Sequence, residues 1–178
     1  CIRGIGHGRL AYDEQTIGAD LADPQGPALL WEEALERAGG AIDVLVNNHG
    51  LFEANSLDRS DIEWLDAWED TLRINLTSAA QLSRFAVRHW QERGVGGRIV
   101  HIASRAGHRG DSPAHWPYAA AKGGMLAMHK TIARQYAGEG ILSFAITPGF
   151  TDTAMAGDYL ASRGGAGPPA EIPPRPGA

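Results

Sequence analysis

A tyrosine and a lysine four residues apart are the first candidates for chemistry in this sequence. Tyr118 and Lys122 stand in the run Y-A-A-A-K, and on a helix this spacing places both side chains on one face, one turn apart. A phenol titrates near pH ~10 and is a poor base at neutral pH, but a nearby cation stabilises the phenolate and lowers that value. The pair can therefore move a proton to or from an oxygen atom. The alternative is an ordinary helix start with a solvated lysine.

A serine at the end of an apolar segment is the second candidate. Ser104 directly follows residues 98–103 and precedes Tyr118 by fourteen residues, so the loop between them can fold back and bring the two side chains together. Its hydroxyl can donate a hydrogen bond to a carbonyl or accept one from an alcohol. The neighbours of Ser104 do not form a G-x-S-x-G elbow, which argues against an α/β-hydrolase nucleophile. The alternative is a serine that caps a turn.

Asparagines mark two further positions. Asn47 and Asn48 follow the apolar residues 42–46, and Gly50 comes two residues later. These residue types tolerate the sharp turn that leaves a strand, and their amides can bridge neighbouring strands. Asn75 lies inside a strong helical pattern, where asparagine is a mediocre residue because its amide competes for backbone hydrogen bonds. We therefore expect a kink or a bound water at Asn75, with a surface asparagine as the alternative.

Two more turns follow predicted strands. Asp20 and Leu21 come after a short, weak strand candidate at residues 16–19. After the last apolar segment, the chain carries a rigid turn and two hydroxyls that can be offered to a ligand: Pro148, Gly149, Thr151 and Thr153.

The elements that must position these residues alternate between strands and helices. The predicted strands cover residues 16–19, 42–46, 98–103 and 141–147, and the predicted helices cover residues 24–38, 61–93 with one possible break, and 118–136. This alternation predicts an α/β fold, a doubly wound parallel sheet with helices on both faces. Ligands of such sheets lie beyond the carboxyl ends of the strands, and three of the motifs begin at ends of that kind.

Length and composition indicate one ordinary globular domain. The chain has 178 residues, of which 43% are hydrophobic and 21% are charged, and this is enough for a single core. We assign residues 1–163 to this domain. Residues 164–178 are dense in glycine and proline, so we predict a disordered tail there.

Charge and cysteine content exclude several classes of protein. The net charge of −5 disfavours nucleic acid and anionic membrane as partners, because both prefer a basic face. A single cysteine allows neither an intrachain disulfide nor a cysteine-rich zinc site. No apolar run approaches the ~20 residues of a membrane span, and no signal-peptide pattern opens the chain. We expect a soluble cytoplasmic protein.

The order of the motifs resembles that of one enzyme family. Read from residue 18 to residue 155, the sequence shows D-L, N-N-x-G, an asparagine in a long helix, S, Y-x-x-x-K and P-G-x-x-x-T. Each motif alone is common, but their joint order is similar to that of the classical short-chain dehydrogenases/reductases. The resemblance covers most of the chain and implies a Rossmann-like fold.

The resemblance implies roles for the four candidate catalytic residues. Tyr118 would be the general acid/base that exchanges a proton with the substrate oxygen. Lys122 would lower the pKa of Tyr118 and bind the nicotinamide ribose. Ser104 would orient and polarise the substrate carbonyl or hydroxyl, and Asn75 would hold a water that links Lys122 to solvent.

The resemblance also implies a cofactor, NAD or NADP, and a small alcohol or ketone as substrate. Asp20 would meet the adenine, Leu21 would add a backbone contact beside it, and Asn48 and Gly50 would line the adenine-ribose region. Thr151 and Thr153, which follow Pro148 and Gly149 in the chain, would contact the carboxamide of the nicotinamide. A homodimer or homotetramer packed through the two long helices is implied as well.

Three features depart from the family pattern, and the chain looks truncated at both ends against it. After Met155 the family continues through a substrate lid to a final strand, whereas this sequence becomes rich in proline and glycine and stops. The segment G-I-G-H-G at residues 4–8 resembles the family's glycine-rich turn only superficially, because too few residues precede it for the required strand. We therefore expect the first βαβ half to be missing or altered. His49 replaces the usual small residue of N-N-A-G, which predicts crowding on the adenosine side. Our hypothesis is that this chain carries the catalytic residues but binds its cofactor poorly or not at all. Micromolar binding of NAD or NADP in calorimetry would count against it.

Two alternatives come from other classes of protein. A non-catalytic binding module would explain the altered cofactor turn, although Ser104 and Tyr118 argue against it. A metal-binding protein is suggested by His101, His108 and His115, which recur every seven residues. One of these histidines falls in a predicted strand and two in a loop, and no H-x-x-x-H accompanies them, so we predict no metal. The two loop histidines could instead contact substrate.

Overall fold

Three parallel strands and the helices that connect them form the part of the chain described by a computed structural model, residues 16–149. The strands are β1 (Val44–Asn47), β2 (Gly97–Ile102) and β3 (Ile141–Ile146). The α-helices are α1 (Gly26–Arg37), α2 (Asp61–Leu72), α3 (Ser78–Arg93), α4 (Ala106–Arg109) and α5 (Trp116–Tyr136). A π-helix (Arg73–Thr77) joins α2 to α3, and a 3-10 turn (Ala137–Glu139) follows α5.

The sheet has the order β1-β2-β3, and both pairs of strands are parallel. The α/β class and the Rossmann-like parallel sheet predicted from the alternation are therefore confirmed. Because strand order follows chain order and such crossovers are right-handed, the connecting helices fall on the same face of the sheet. The core lies between this face and the helices. Its fully or nearly buried apolar side chains include Leu30, Trp31, Leu45, Leu82, Trp90, Ile99, Met125 and Ile141.

The opposite face of the sheet is exposed in the described residues. Side chains alternate between the two faces of a strand, and the exposed set contains Val44, Val46, Leu142, Phe144 and Ile146. A parallel sheet is normally covered on both faces. The sequence predicts helices on both faces of the sheet. Within residues 16–149, helices cover one of these two faces.

The long helical pattern is interrupted once, as predicted. Ser60 caps α2 in a capping box: its hydroxyl accepts from the backbone N–H of Glu63, whose carboxylate accepts from the backbone N–H of Ser60. The interruption is the π-helix, which contains Asn75 and is continuous with the helices on either side. Gly94 ends α3 in the left-handed conformation, with φ of 64°.

Trp90 fixes α3 to the sheet. Its indole Nε1 donates a hydrogen bond of 2.6 Å to the carbonyl oxygen of Ile42, and its ring is fully buried. Gly97 at the start of β2 lies directly against this ring, because a Cβ there would come within 2.1 Å of Trp90. The glycine allows the close approach of strand and helix that brings the carboxyl end of β2 to the site.

Several predicted boundaries differ from the structure. Residues 16–19, predicted as a strand, form no strand. Thr16 instead accepts a hydrogen bond from Arg37, and the side chain of Ile17 packs into the core. The strand predicted at 42–46 corresponds to β1, which begins two residues later than predicted. The segment between Ser104 and Tyr118, predicted as a loop, contains the short helix α4. The other predicted elements match to within about two residues.

Some predictions fall outside the described residues. These are the glycine segment at 4–8, the tail at 164–178, and two site residues, Thr151 and Thr153. By its contacts the chain divides into two units, Cys1–Thr147 and Pro148–Ala178, and the strands and helices named above all belong to the first. None of the helices in the described part is long and apolar enough to cross a membrane.

Candidate active site

The four predicted catalytic residues come from three elements near the carboxyl end of β2. Ser104 follows β2, Asn75 lies in the π-helix, and Tyr118 and Lys122 lie in the first two turns of α5. All four are connected to one another or to Gly50 by the contacts described below. The N-terminus of a helix carries positive partial charge, so the position of Tyr118 in the first turn of α5 favours an anionic phenolate.

Tyr118 and Ser104 meet through their side chains. Burial raises the pKa of Tyr118 above its ordinary value of 10.0, a hydrogen bond with the Ser104 side chain partly offsets this, and the Asp111 carboxylate adds a smaller increase. The Ser104 hydroxyl also accepts a hydrogen bond of 3.1 Å from the backbone N–H of Ala106. Among the described residues, burial therefore has the largest effect on the pKa of Tyr118. The resemblance implies that Lys122 lowers this pKa, but Lys122 is not among the groups that shift it here.

Lys122 is a buried cation beside the phenol. Its Nζ lies 5.7 Å from the centre of the Tyr118 ring and donates a hydrogen bond of 2.9 Å to the carbonyl oxygen of Ile102, the last residue of β2. Only 3% of the residue is exposed, and burial lowers its pKa from 10.5 to about 8. Lys122 is thus anchored to the edge of the sheet. The alternative interpretation of the Y-A-A-A-K run, a solvated lysine, is wrong.

Gly50 lies between the asparagine and the lysine. A Cβ at Gly50 would come within 3.5 Å of Oδ1 of Asn75 and 3.6 Å of Nζ of Lys122. The loop after β1, the π-helix and α5 therefore meet at this glycine. The N-N-x-G motif and the Y-x-x-x-K motif, which are more than sixty residues apart in the sequence, belong to one site.

The amide of Asn75 holds the loop after β1 in place. Its Oδ1 accepts a hydrogen bond of 2.6 Å from the backbone N–H of Leu51, and its Nδ2 donates one of 2.7 Å to the carbonyl oxygen of the same residue. The side chain is fully buried, so the surface alternative for Asn75 is wrong. Its predicted role in holding a water stays a prediction.

His49 is turned towards the helices. Its Nε2 lies 2.7 Å from the hydroxyl of Ser78, and this hydroxyl donates its proton to the carbonyl oxygen of Ile74. Ser78 must therefore accept from His49, which places the imidazole proton on Nε2. Burial and the charge of Lys122 lower the pKa of His49 to about 4, against a smaller increase from a hydrogen bond with the Ile74 carbonyl. The imidazole is neutral at neutral pH.

The remaining asparagines divide into one buried and one exposed residue. Asn47 bridges elements as predicted: its Nδ2 donates to Ser83 on α3 at 3.1 Å and lies 3.3 Å from Nδ1 of His101 on β2. Asn48 is exposed. It is the member of this motif that remains accessible to a ligand.

The predicted cofactor residues lie at several places in the chain. Asp20 is exposed at the turn before α1, where its carboxylate accepts from the backbone N–H of Ala22, and the side chain of Leu21 is buried in the core. Pro148 and Gly149 follow β3 in the chain and belong to the second unit. The contacts predicted for these residues with a cofactor stay predictions.

The three histidines considered for a metal lie on different elements. His101 is buried in β2, His108 is exposed on α4, and His115 is the residue before α5. Residues 16–149 contain no cluster of three or more histidine, cysteine or acidic side chains with the geometry to hold a metal ion.

Among the residues that touch the site but were not identified from the sequence are Phe52 and Gly107. Phe52 packs edge-on against the Tyr118 ring, with centroids 4.8 Å apart and planes at 82°. Gly107 on α4 lies against the backbone of Lys122, since a Cβ there would be 2.7 Å from the Lys122 carbonyl carbon. A lone phenylalanine in a loop gives no periodic signal, whereas a glycine three residues after the serine could have indicated a close approach.

Comparison with known proteins identifies the family. The model of the short chain dehydrogenase family matches residues 8–164. A curated 3-oxoacyl-acyl-carrier-protein reductase, FabG, of Vibrio cholerae is 36% identical over 146 residues, which are 82% of this chain and 57% of that protein. An uncharacterized oxidoreductase of Thermotoga maritima is 32% identical over 80% of this chain and 53% of that protein.

Solved structures agree with the sequence comparison. An acetoin dehydrogenase, YohF, of Salmonella typhimurium superposes with a TM-score of 0.67 at 29% identity, covering 78% of this chain and 55% of that one. A short chain dehydrogenase of Mycobacterium smegmatis gives the same TM-score at 31% identity over 76% of this chain and 55% of that one. The chain spans about half the length of the curated relatives it matches. This chain belongs to the short-chain dehydrogenase family.

Proposed function

We propose that the protein containing this chain is an oxidoreductase that interconverts an alcohol and a carbonyl compound by hydride transfer with NAD or NADP. Tyr118 is its general acid/base. The observation that carries the proposal is the meeting of Ser104, Tyr118 and Lys122: a hydroxyl hydrogen-bonded to a phenol, and an ammonium 5.7 Å from the centre of the phenol ring.

The residues around Lys122 fit a nicotinamide ribose. The lysine ammonium is a strong hydrogen-bond donor, and Gly50 places no side chain between it and Asn75. In the proposal Lys122 holds the ribose, and Asn48 and Gly50 line the adenosine side. Asp20 meets the adenine, and Leu21 adds a contact through its backbone, since its side chain is buried in the core. When bound, the cofactor supplies or accepts the hydride.

The protein's own groups move the proton. Because burial raises the pKa of Tyr118, the phenol is protonated at neutral pH and can act as an acid towards a carbonyl oxygen. The Ser104 hydroxyl orients that oxygen, and Lys122 stabilises the phenolate that remains after proton transfer. In the direction of alcohol oxidation the phenolate takes the proton back.

The names of the relatives suggest the substrate class. The curated relatives include 3-oxoacyl-acyl-carrier-protein reductases, and one structural neighbour is an acetoin dehydrogenase. Both names describe chemistry at a carbonyl or hydroxyl carbon. We extend only this shared feature to the present protein and propose a small ketone or secondary alcohol as substrate.

A non-catalytic binding module is the second candidate, and the site does not favour it. A module without catalysis has no need of a buried cation beside a phenol, since burying the lysine is costly. The contacts among Ser104, Tyr118 and Lys122 are those that proton transfer requires.

A pair of tyrosine variants tests the proposal. Tyr118→Phe removes the acid/base and leaves the ring, so we expect reduction of a ketone panel with NADH or NADPH to fall by about 10²–10⁴-fold. Tyr136→Phe, the same change at the far end of α5, should retain the parent rate. The assay follows nicotinamide absorbance at saturating cofactor. Equal rates for Tyr118→Phe and the parent would refute the proposal.

A homodimer or homotetramer is also proposed. Among the residues of α2, only Thr71 is buried, and Ile62 and Leu65 on this helix are exposed by 75% and 49%. Exposed apolar side chains of this kind are typical of surfaces that pack in an oligomer. Light scattering coupled to gel filtration measures the state directly. The predicted cytoplasmic location stays a prediction.

A further inference from the structure

Two aromatic rings form a column next to Tyr118. Phe52, in the loop after β1, stacks on His115, the residue before α5, with centroids 4.0 Å apart and planes at 8°. Phe52 also packs edge-on against the Tyr118 ring, with centroids 4.8 Å apart. Both geometries are favourable for aromatic pairs, so the rings of His115, Phe52 and Tyr118 form a column.

The far end of the column is anchored. His115 is only 7% exposed, its Nδ1 lies 2.7 Å from the hydroxyl of Ser112, and its backbone N–H donates to the Ser112 carbonyl at 2.9 Å. These two hydrogen bonds fix both the backbone and the ring of His115. Burial also lowers the pKa of His115, so the ring that stacks on Phe52 is the neutral imidazole.

A backbone hydrogen bond joins the two loops that carry the column. The N–H of Asn55 donates to the carbonyl oxygen of Ala114 at 2.7 Å, three residues from Phe52 and one from His115. Asn55 is buried, and its side-chain Nδ2 donates to the Trp64 carbonyl oxygen at 2.9 Å. The loop after β1 is thus held to both α2 and the start of α5, which keeps the Phe52 ring in register with its neighbours.

We propose that Phe52 and His115 are positioning residues, which hold the Tyr118 ring where its hydroxyl meets Ser104 and the substrate oxygen. The inference rests on the proposed function of Tyr118. A tyrosine ring can rotate about two side-chain bonds; here Phe52 limits it on one side and Lys122 lies 5.7 Å from its centre. Neither Phe52 nor His115 is assigned a proton or a reacting atom, so both act through Tyr118.

Kinetics separate a positioning role from a merely structural one. A displaced phenol slows proton transfer without weakening cofactor binding, and displacements near 1 Å cost about 10²-fold. We therefore expect Phe52→Leu and His115→Ala to lower kcat by about 10–100-fold, with the KM for NAD or NADP changed by less than about threefold. Phe52→Tyr and His115→Phe keep a flat ring and should recover most of the lost rate. Phe85→Leu, the same kind of change on α3, is the matched control and should behave as the parent.

Titration of the phenol is a second readout that needs no turnover. Phenolate formation is followed by ultraviolet absorbance as the pH is raised. Subtracting the curve of the Tyr118→Phe counterpart from that of each protein leaves the titration of the Tyr118 hydroxyl. We expect Phe52→Leu and His115→Ala to admit water and shift this titration down towards 10.0, the ordinary value, while Phe85→Leu leaves it in place. An unchanged titration together with an unchanged kcat would overturn the inference. A parent without turnover would contradict the proposed function instead, and the titration would then decide the positioning role alone.

Discussion

Two buried histidines, His49 and His101, link the stability of the described part of the chain to pH. Burial first, and then the neighbouring charges of His129, Lys122 and His49, together lower the pKa of His101 from 6.5 to about 4. The ring of His101 is fully buried, and its centre lies 6.3 Å from that of His129. His49, beside Lys122, is lowered to a similar value. The fold accepts both rings only in the neutral form.

We predict that the free energy of unfolding falls as the pH drops from 6.5 to about 4. In this window the unfolded chain binds protons at these histidines and the folded chain does not, which costs the fold about 3 kcal/mol per histidine. Above the window both states are neutral there, and this contribution to stability no longer depends on pH. Urea unfolding at pH values on both sides of the window measures the change.

His49→Ala, which restores the small residue usual in the family motif, should flatten this pH dependence. His108→Ala removes an exposed histidine and serves as the control, with the slope of the parent. If His49→Ala keeps the full acid sensitivity, the buried, neutral state assigned to His49 is incorrect.

At the scale of elements, the site depends on how closely α4 approaches α5. A Cβ at Gly107 would lie 2.7 Å and 2.8 Å from the carbonyl carbon and oxygen of Lys122. These are backbone atoms of a helix and cannot rotate away. The absence of a side chain at Gly107 therefore sets the distance between the segment after Ser104 and the turn of α5 that carries Lys122.

We predict that Gly107→Ala destabilises the protein by about 1–3 kcal/mol, because the two backbones must move apart. Activity should fall with it, since the shift separates Ser104 from Lys122. Gly138→Ala is the matched control, because a Cβ at Gly138 meets nothing within 4 Å. Urea unfolding and the ketone assay on both variants measure the two effects. A Gly107→Ala protein as stable as the parent would show that this approach is looser than described.

The elements themselves were largely predictable from the sequence. Continuous apolar runs such as residues 141–147 identify parallel strands, and the asparagine at position 75 correctly marked the interruption of the long helix. The contacts of the site were less predictable. The pairing of Asn75 with Leu51 and the stacking of Phe52 on His115 join residues distant in sequence, and neither side-chain periodicity nor turn chemistry reports which loops will meet. Residues 16–19 were wrongly predicted as a strand, because a pattern of only four residues is too short to be specific. In the structure the side chain of Ile17 packs into the core from a segment without regular secondary structure.

At the scale of the whole molecule, the described sheet has an apolar face without helices. Phe144 and Ile146 on β3 are exposed by 47% and 52%, and Val44 on β1 by 50%. At the β1 edge of the sheet, an open cleft of about 600 Å³ lies between β1 and α1. It is lined by residues including Ile17, Ala34, Ile42 and Val46. Contiguous apolar surface of this kind promotes association.

We predict that this face contributes to self-association of the 178-residue chain, in addition to the packing proposed for the exposed side chains of α2. Replacing Phe144 and Ile146 with serine removes apolar side chains that are half exposed, so stability should change little while the monomer fraction rises several-fold. Leu29→Ser, at a leucine exposed by 59% on α1, is the control and should leave association unchanged. Gel filtration with light scattering at several concentrations gives the distribution. Equal association in all three proteins would assign the contact to another surface.

The central claim is that Ser104 and Tyr118 act together on one substrate oxygen, and a double-mutant cycle on kcat tests it most directly. Groups that act as a unit are not additive. The account predicts that Tyr118→Phe alone costs about 10²–10⁴-fold and that adding Ser104→Ala to it costs less than about threefold more, although Ser104→Ala alone is severe. If the two losses multiply in full, the hydroxyl and the phenol work independently, and the shared site described for them is wrong.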